Sequence, residues 1–162
     1  MTLRKVGYSV GANRQKGGFE DLDCYKLSLQ LMVNVHAIAN KLPTVERFDL
    51  ADQVRRASKS TPANIAEGYG RHHWLDALRF YYIARGSLNE TINHLISART
   101  LEYIEQDKFE ELYQLARQAE RALNGYIAFV NKRREGQALF GERSLKETEK
   151  SYHVEIESEP EE

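Results

Sequence analysis

A chain of 162 residues, 41% hydrophobic and 29% charged, is long enough to bury one core and too short for two comfortable domains. No apolar run approaches the roughly 20 residues that span a bilayer, and a single cysteine, Cys24, excludes an internal disulfide and any zinc site built from several thiolates. The N-terminus is basic without a signal-type apolar segment, so a cytoplasmic protein is expected.

The net charge of −1 conceals three regimes. Residues 1–18 hold Arg4, Lys5, Arg14 and Lys16 with no acid and four glycines, a composition that predicts a flexible basic arm. Residues 135–162 carry three basic and nine acidic residues and predict a flexible acidic tail, one that could lie over a basic surface and suppress non-specific binding there. Between them, residues 19–134 carry sixteen basic and fifteen acidic residues and are expected to form the folded domain.

Four helical segments are expected in that middle. From about Asp21 to Lys41, Cys24, Ser28, Leu31, Val35, Ile38 and Leu42 recur at helical spacing, with Tyr25, Leu29, Met32, His36 and Ala39 widening the stripe, and Pro43 ends the run. Asp49 then reads as the N-cap of a second helix in which Leu50, Val54, Ala57, Thr61, Ile65 and Gly68 share a stripe. Because that register passes through Pro62, the proline is expected to kink one helix rather than separate two; Gly68 and Gly70 supply the stop. A third helix, about Trp74 to Glu105, carries Leu78, Tyr81, Arg85, Leu88, Ile92, Leu95 and Arg99 on one stripe, with Tyr82 and Ile96 beside it. The fourth is expected to open on a capping-box arrangement of Asp107 and Glu110, with Phe109, Leu112, Ala116, Ala119, Leu123, Tyr126 and Val130 as its apolar face to about Arg134. Four amphipathic helices with short links predict an all-α fold, an antiparallel up-down-up-down four-helix bundle.

The second helix also carries a polar line. Arg56, Ser60, Asn64, Glu67 and Arg71 succeed one another at steps of three and four, and Arg79, Ile83, Gly86, Glu90 and His94 make a comparable line on the third. A polar seam between the two helices is the expectation, with Gly86, Ala63 and Ala66 allowing close approach. Glu67 and Glu90 raise the question of carboxylate or metal chemistry, but a di-iron bundle uses Glu-x-x-His motifs and the chain has none. Ser60 and Ser87 have no histidine at a spacing that suggests a base, and no HExxH occurs. No catalytic residue, metal or cofactor is therefore expected.

A third reading of the same region is electrostatic. From Gln53 to Arg85, the basic residues Arg55, Arg56, Lys59, Arg71, Arg79 and Arg85 face only Glu67 and Asp76. His72, His73, Trp74, Tyr69 and Tyr82 lie among them, the mixture of cations and rings that binds phosphates and bases. Arg55, Arg56, Lys59, Arg71, His72, Arg79 and Arg85 are the candidate nucleic-acid contacts. A plain solvated helix also carries arginines, so a purely structural role stays open.

These residues also carry a family resemblance. Phe19, Asp21 and Leu22, then Gln53, Arg56, Ala57, Ser60, Asn64, Ile65, Ala66, Glu67, Gly68 and Arg71, then Ala84, Gly86, Ser87 and Glu90 match a pattern F-x-D-L, Q-x-x-R-A…S-x-x-x-N-I-A-E-G…R, A-x-G-S-x-x-E. The chain thereby resembles the 23S rRNA intervening-sequence proteins over about residues 19–134, with Tyr25 where that family usually has tryptophan. The resemblance implies a four-helix bundle assembled as a homopentamer. It also extends to a similar bundle, the accessory variability protein of diversity-generating retroelements, which engages a reverse transcriptase and nucleic acid. The resemblance thus implies a non-catalytic, oligomeric bundle that binds structured RNA or DNA, as accessory to a nucleic-acid enzyme such as a reverse transcriptase. The alternative is a protein-interaction scaffold with no nucleic-acid binding.

Overall fold

The computed structural model describes residues 17–133. All but the last two residues of the basic arm, and the whole acidic tail, lie outside them. Four helices account for most of the described chain: α1 (Asp23–Ala39), α2 (Leu50–Tyr69), α3 (Trp74–Thr100) and α4 (Gln106–Arg133), with short 3₁₀ turns at Phe19–Asp21 and Thr44–Phe48. Among the described residues there is no strand. The all-helical expectation holds.

Each helix packs on its neighbours in sequence, and α4 closes the set against α1. Pairs across α2 and α3 run in opposite directions: Ser60 meets Ser87, and further along α2, Gly68 meets Ala77 and Tyr81. Across α3 and α4, Arg99 meets Gln106 while Arg85 meets Asn124. Two apolar clusters fill the interior. One is built on Leu31, Val35, Val54, Leu88, Leu95, Leu112 and Ala116. The other, nearer the α2–α3 turn, is built on Cys24, Ile65, Leu78, Tyr81, Leu123 and Ile127. Burying a side chain of leucine size contributes about 1.5–3 kcal/mol, so these layers hold the fold. Burial pushes the Cys24 thiol up to about 11, as expected of a core cysteine rather than a reactive one.

The helix ends depart from the sequence expectation in four places. Asp49 occupies the N-cap of α2, but its side chain makes no cap bond. The Leu50 N–H instead donates to Glu46 Oε2 at 3.3 Å, because the 3₁₀ turn folds Glu46 back over the helix start. Gly68 is no stop. It lies within α2, fully covered by α3, and the helix runs on to Tyr69 before Gly70. Helix α3 ends at Thr100, short of Glu105, through a reversal in which the Tyr103 N–H donates to the Ala98 carbonyl and the Glu102 N–H to Arg99. Glu102 takes the left-handed position, φ 60°, that usually belongs to glycine. Finally, α4 begins at Gln106, so Asp107 sits inside its first turn, and Glu110 Oε1 accepts from Gln114 rather than closing a box. Helix α2 is continuous through the buried Pro62.

Candidate nucleic-acid interface

The polar seam is shorter than the sequence spacing implies. Its cross-helix element is a 2.8 Å hydrogen bond between the hydroxyls of Ser60 on α2 and Ser87 on α3. Asn64 Nδ2 donates to the Ser60 carbonyl and hydroxyl at 2.8 and 3.0 Å, and Thr91 Oγ1 donates to the Ser87 carbonyl at 2.9 Å. Ser87 is buried and Ser60 half-buried, so the pair is partly shielded from water and ties the two helices in register. Most remaining members of the line turn outward, although His94 stays largely buried. Gly86 faces open space and Ala63 is exposed, so neither sets the interhelix distance; Gly68 does. Gln53 is exposed on the outer side of α2. Glu67 pairs with Arg71, whereas Glu90 lies 3.6 Å from His94 Nε2. Glu67 and Glu90 belong to different stretches of the seam, and among the described residues no three His, Cys, Asp or Glu side chains are placed to hold a metal ion.

The seven basic candidates do not share one surface. Arg55 reaches across to the end of α1, its guanidinium donating to the Ala39 carbonyl at 3.1 Å and to Asn40 Oδ1 at 3.0 Å. Arg85 points the opposite way, 5.0 Å over the Tyr82 ring and 3.5 Å from Asn124 Oδ1 of α4. The two therefore lie on opposite flanks of the α2–α3 pair. Arg56 is held at 2.8 Å by Asp52, an exposed pair worth about 0–1 kcal/mol. Arg71 is neutralised by Glu67 and Asp76 and stacks 4.3 Å over the Phe80 ring. His72 is exposed in the α2–α3 turn, its ring edge-on to that of His73. Arg79 and Lys59 are exposed, with no ion-pair partner among the described residues.

One contributor is absent from the sequence-based candidates. The spacing along α1 makes His36 a widening of the apolar stripe, but its ring faces the same groove as Arg55 and Lys59. Burial pushes its pKa down, and the nearby Lys59 and Arg55 charges add to the effect. Its Nε2 is buried without a hydrogen-bond partner. The α1–α2 groove thus gathers Arg55, Lys59 and His36, with no carboxylate paired to any of them among the described residues. No single-helix pattern could have revealed this, since His36 and Lys59 meet only when α1 packs on α2.

Residues 20–125, from the first 3₁₀ turn to the last third of α4, match the family model for 23S rRNA-intervening sequence proteins. The chain belongs to that family. The match to the 23S rRNA-intervening sequence proteins contains the Ser60–Ser87 seam, Gly68 and the whole α1–α2 groove, whereas Phe19 falls one residue outside it. A crystal structure of a protein of unknown function from the S23 ribosomal protein family of Bacteroides thetaiotaomicron resembles this chain with a TM-score of 0.61 and 24% sequence identity. The likeness covers 65% of this chain and 95% of that one, and at that identity it is a likeness of fold. No curated protein matches the chain.

Proposed function

We propose that this 23S rRNA-intervening sequence family member is a non-enzymatic, oligomeric bundle that binds structured RNA or DNA through phosphate contacts. The observation that carries the reading is the α1–α2 groove, where Arg55, Lys59 and His36 come together without a neutralising carboxylate among the described residues. A phosphate there would accept from the exposed Lys59 ammonium and would offset the crowding of the Lys59 and Arg55 charges beside the buried His36 ring. Arg56 and Arg71 contribute less, since each is already paired with acids of its own surface. The role fits an accessory to a nucleic-acid enzyme such as a reverse transcriptase, with the bundle supplying the grip and the partner the chemistry.

The test is binding of an RNA hairpin and a DNA duplex across a salt series by fluorescence anisotropy. Affinity should fall linearly on a log–log plot. Lys59→Glu should weaken it and make the slope shallower by about 0.9, the value of a single phosphate neutralised on duplex DNA. Arg85→Glu, on the other flank, should leave affinity nearly unchanged. Absence of binding at low salt would sink the reading.

The oligomeric part rests on a separate observation. The outer side of α3 exposes Ile83, one turn from Gly86, where an added β-carbon would meet nothing within 4 Å, and Ile96 nearer the helix's C-terminal end, each isoleucine 44% accessible. A second copy packing there would bury those side chains, and the family resemblance suggests a ring of five. Ile83→Glu should lower the mass measured by sedimentation equilibrium; an unchanged mass would remove this face from the assembly. If the assembly persists while nucleic acid is never bound, the protein-interaction scaffold becomes the better reading.

A further inference from the structure

The end of the bundle opposite the α2–α3 turn is apolar and acidic together. It is made by the α1–α2 connection and the α3–α4 turn, which the Tyr103 hydroxyl ties by donating to Glu46 Oε1 at 3.0 Å. Val45 and Phe48 on the first are 80% and 85% exposed, and Leu101 on the second is 52% exposed. Around them, residues 41–49 and 101–107 carry Glu46, Asp49, Glu102, Glu105 and Asp107 against only Lys41 and Arg47. Asp49, Glu102, Glu105 and Asp107 have no ion-pair partner among the described residues. A groove of about 380 Å³ beside them, between α1 and the start of α4, continues the surface over Ala37, Ile38, Tyr103 and Ile104. Three exposed large apolar side chains at one tip are costly in water, and the unpaired carboxylates around them select a basic occupant.

We infer that the occupant is the chain's own N-terminal segment, residues 1–16, laid along the bundle with its Leu3–Tyr8 stretch on this acidic end. That segment carries Leu3, Val6, Tyr8 and Val10 interleaved with Arg4 and Lys5, and has no acid. It offers what the surface lacks: apolar side chains for Phe48, Val45 and Leu101, and cations for the free carboxylates. The acidic residues 135–162 are excluded as occupant by their charge. The reach is sufficient. Gly17 is held at the other end of the bundle, where its carbonyl accepts from the Tyr69 hydroxyl. The 17 residues of α1 separate the ends by about 25 Å at 1.5 Å per residue. An extended chain gains about 3.3 Å per residue, so the stretch from Gly17 back to Val6 covers about 36 Å. The consequence is a basic arm stored on one end of the molecule, released by anything that screens or competes for its charges.

Pulsed electron spin resonance on the full chain tests this, with nitroxides on Ser9→Cys and on Thr44→Cys, an exposed position beside the patch. The buried Cys24 is not expected to take the label. Excess unlabelled full chain restricts the signal to pairs within one molecule. A short, narrow distance distribution at low salt is expected, widening with Arg4→Glu/Lys5→Glu, with Phe48→Ser, and at about 1 M salt, where charges are screened within about 3 Å. Phe48 is exposed, so its replacement leaves the core intact. A broad distribution that ignores charge reversal and salt would overturn the inference. So would a short distance from Ser9→Cys to His73→Cys at the other end, or a short distance to Thr44→Cys that disappears on dilution with unlabelled chain.

Discussion

Gly68 of α2 lies so close to Tyr81 of α3 that a β-carbon there would come within 2.5 Å of the ring's Cε1 and 3.0 Å of the Ala77 carbonyl. The glycine lets two backbones approach in the interior, and Tyr81 closes over it, buried at 2% exposure. Burial and the Tyr126 hydroxyl push the Tyr81 phenol's pKa upward, so the ring stays neutral. Gly68→Ala must move either the ring or a backbone, and overpacking of this kind costs about 1–3 kcal/mol. Urea unfolding should show that loss. Gly70→Ala, whose nearest neighbour would lie at an ordinary 3.6 Å, should fall within about 0.5 kcal/mol of the parent.

Glu46 is the joint of the far end. One carboxylate oxygen accepts from the Leu50 N–H and the other from the Tyr103 hydroxyl, so one side chain caps α2 and ties the α1–α2 connection to the α3–α4 turn. Glu46→Ala removes both bonds and should cost about 1 kcal/mol, the usual penalty for a lost cap. Tyr103→Phe removes one and should cost less. Equal losses for the two variants would mean that the cap contributes nothing.

Glu102 should be improvable. A non-glycine residue in the left-handed region costs about 1–2 kcal/mol relative to its ordinary conformations, and Glu102 takes φ 60° to close the end of α3. Glu102→Gly should raise stability by about 0.5–1 kcal/mol once glycine's greater unfolded freedom is allowed for. Glu102→Ala serves as the control, since it removes the carboxylate without relieving the backbone, and should give no such gain.

His36 makes stability depend on pH. Its pKa in the folded chain is lowered from about 6.5 by burial and by the nearby Lys59 and Arg55 charges. Below about 6.5 the unfolded chain takes up a proton that the native chain refuses, so stability is lost as the pH falls through that value toward the native pKa. Urea midpoints at pH 7.5 and pH 5 should therefore differ less for His36→Gln than for the parent. An identical pH response in the two proteins would show that His36 is solvated in the folded chain.

Much of this molecule is legible in its sequence. The 3- and 4-residue recurrence of Leu31, Val35, Leu88, Leu95, Leu112 and Ala119 fixes which face of each helix avoids water, and all six are buried. The family match over residues 20–125 takes in the Gln53–Arg71 and Ala84–Glu90 motifs, since local sequence carries that signal directly. Helix ends are less legible because they answer to turn geometry: Glu46 displaces Asp49 as the cap only once the 3₁₀ turn has folded it back. The candidate surface is least legible. Charges clustered along one stretch of chain, such as Arg55 and Arg85, diverge to opposite flanks because they stand on different helices, Arg55 on α2 reaching toward α1 and Arg85 on α3 reaching toward α4. His36 and Lys59, 23 positions apart, are brought together by packing alone. Periodicity determined what each helix buries; only the association of the helices decided which exposed groups share a surface, because that depends on register and rotation between helices, and no single helix encodes either.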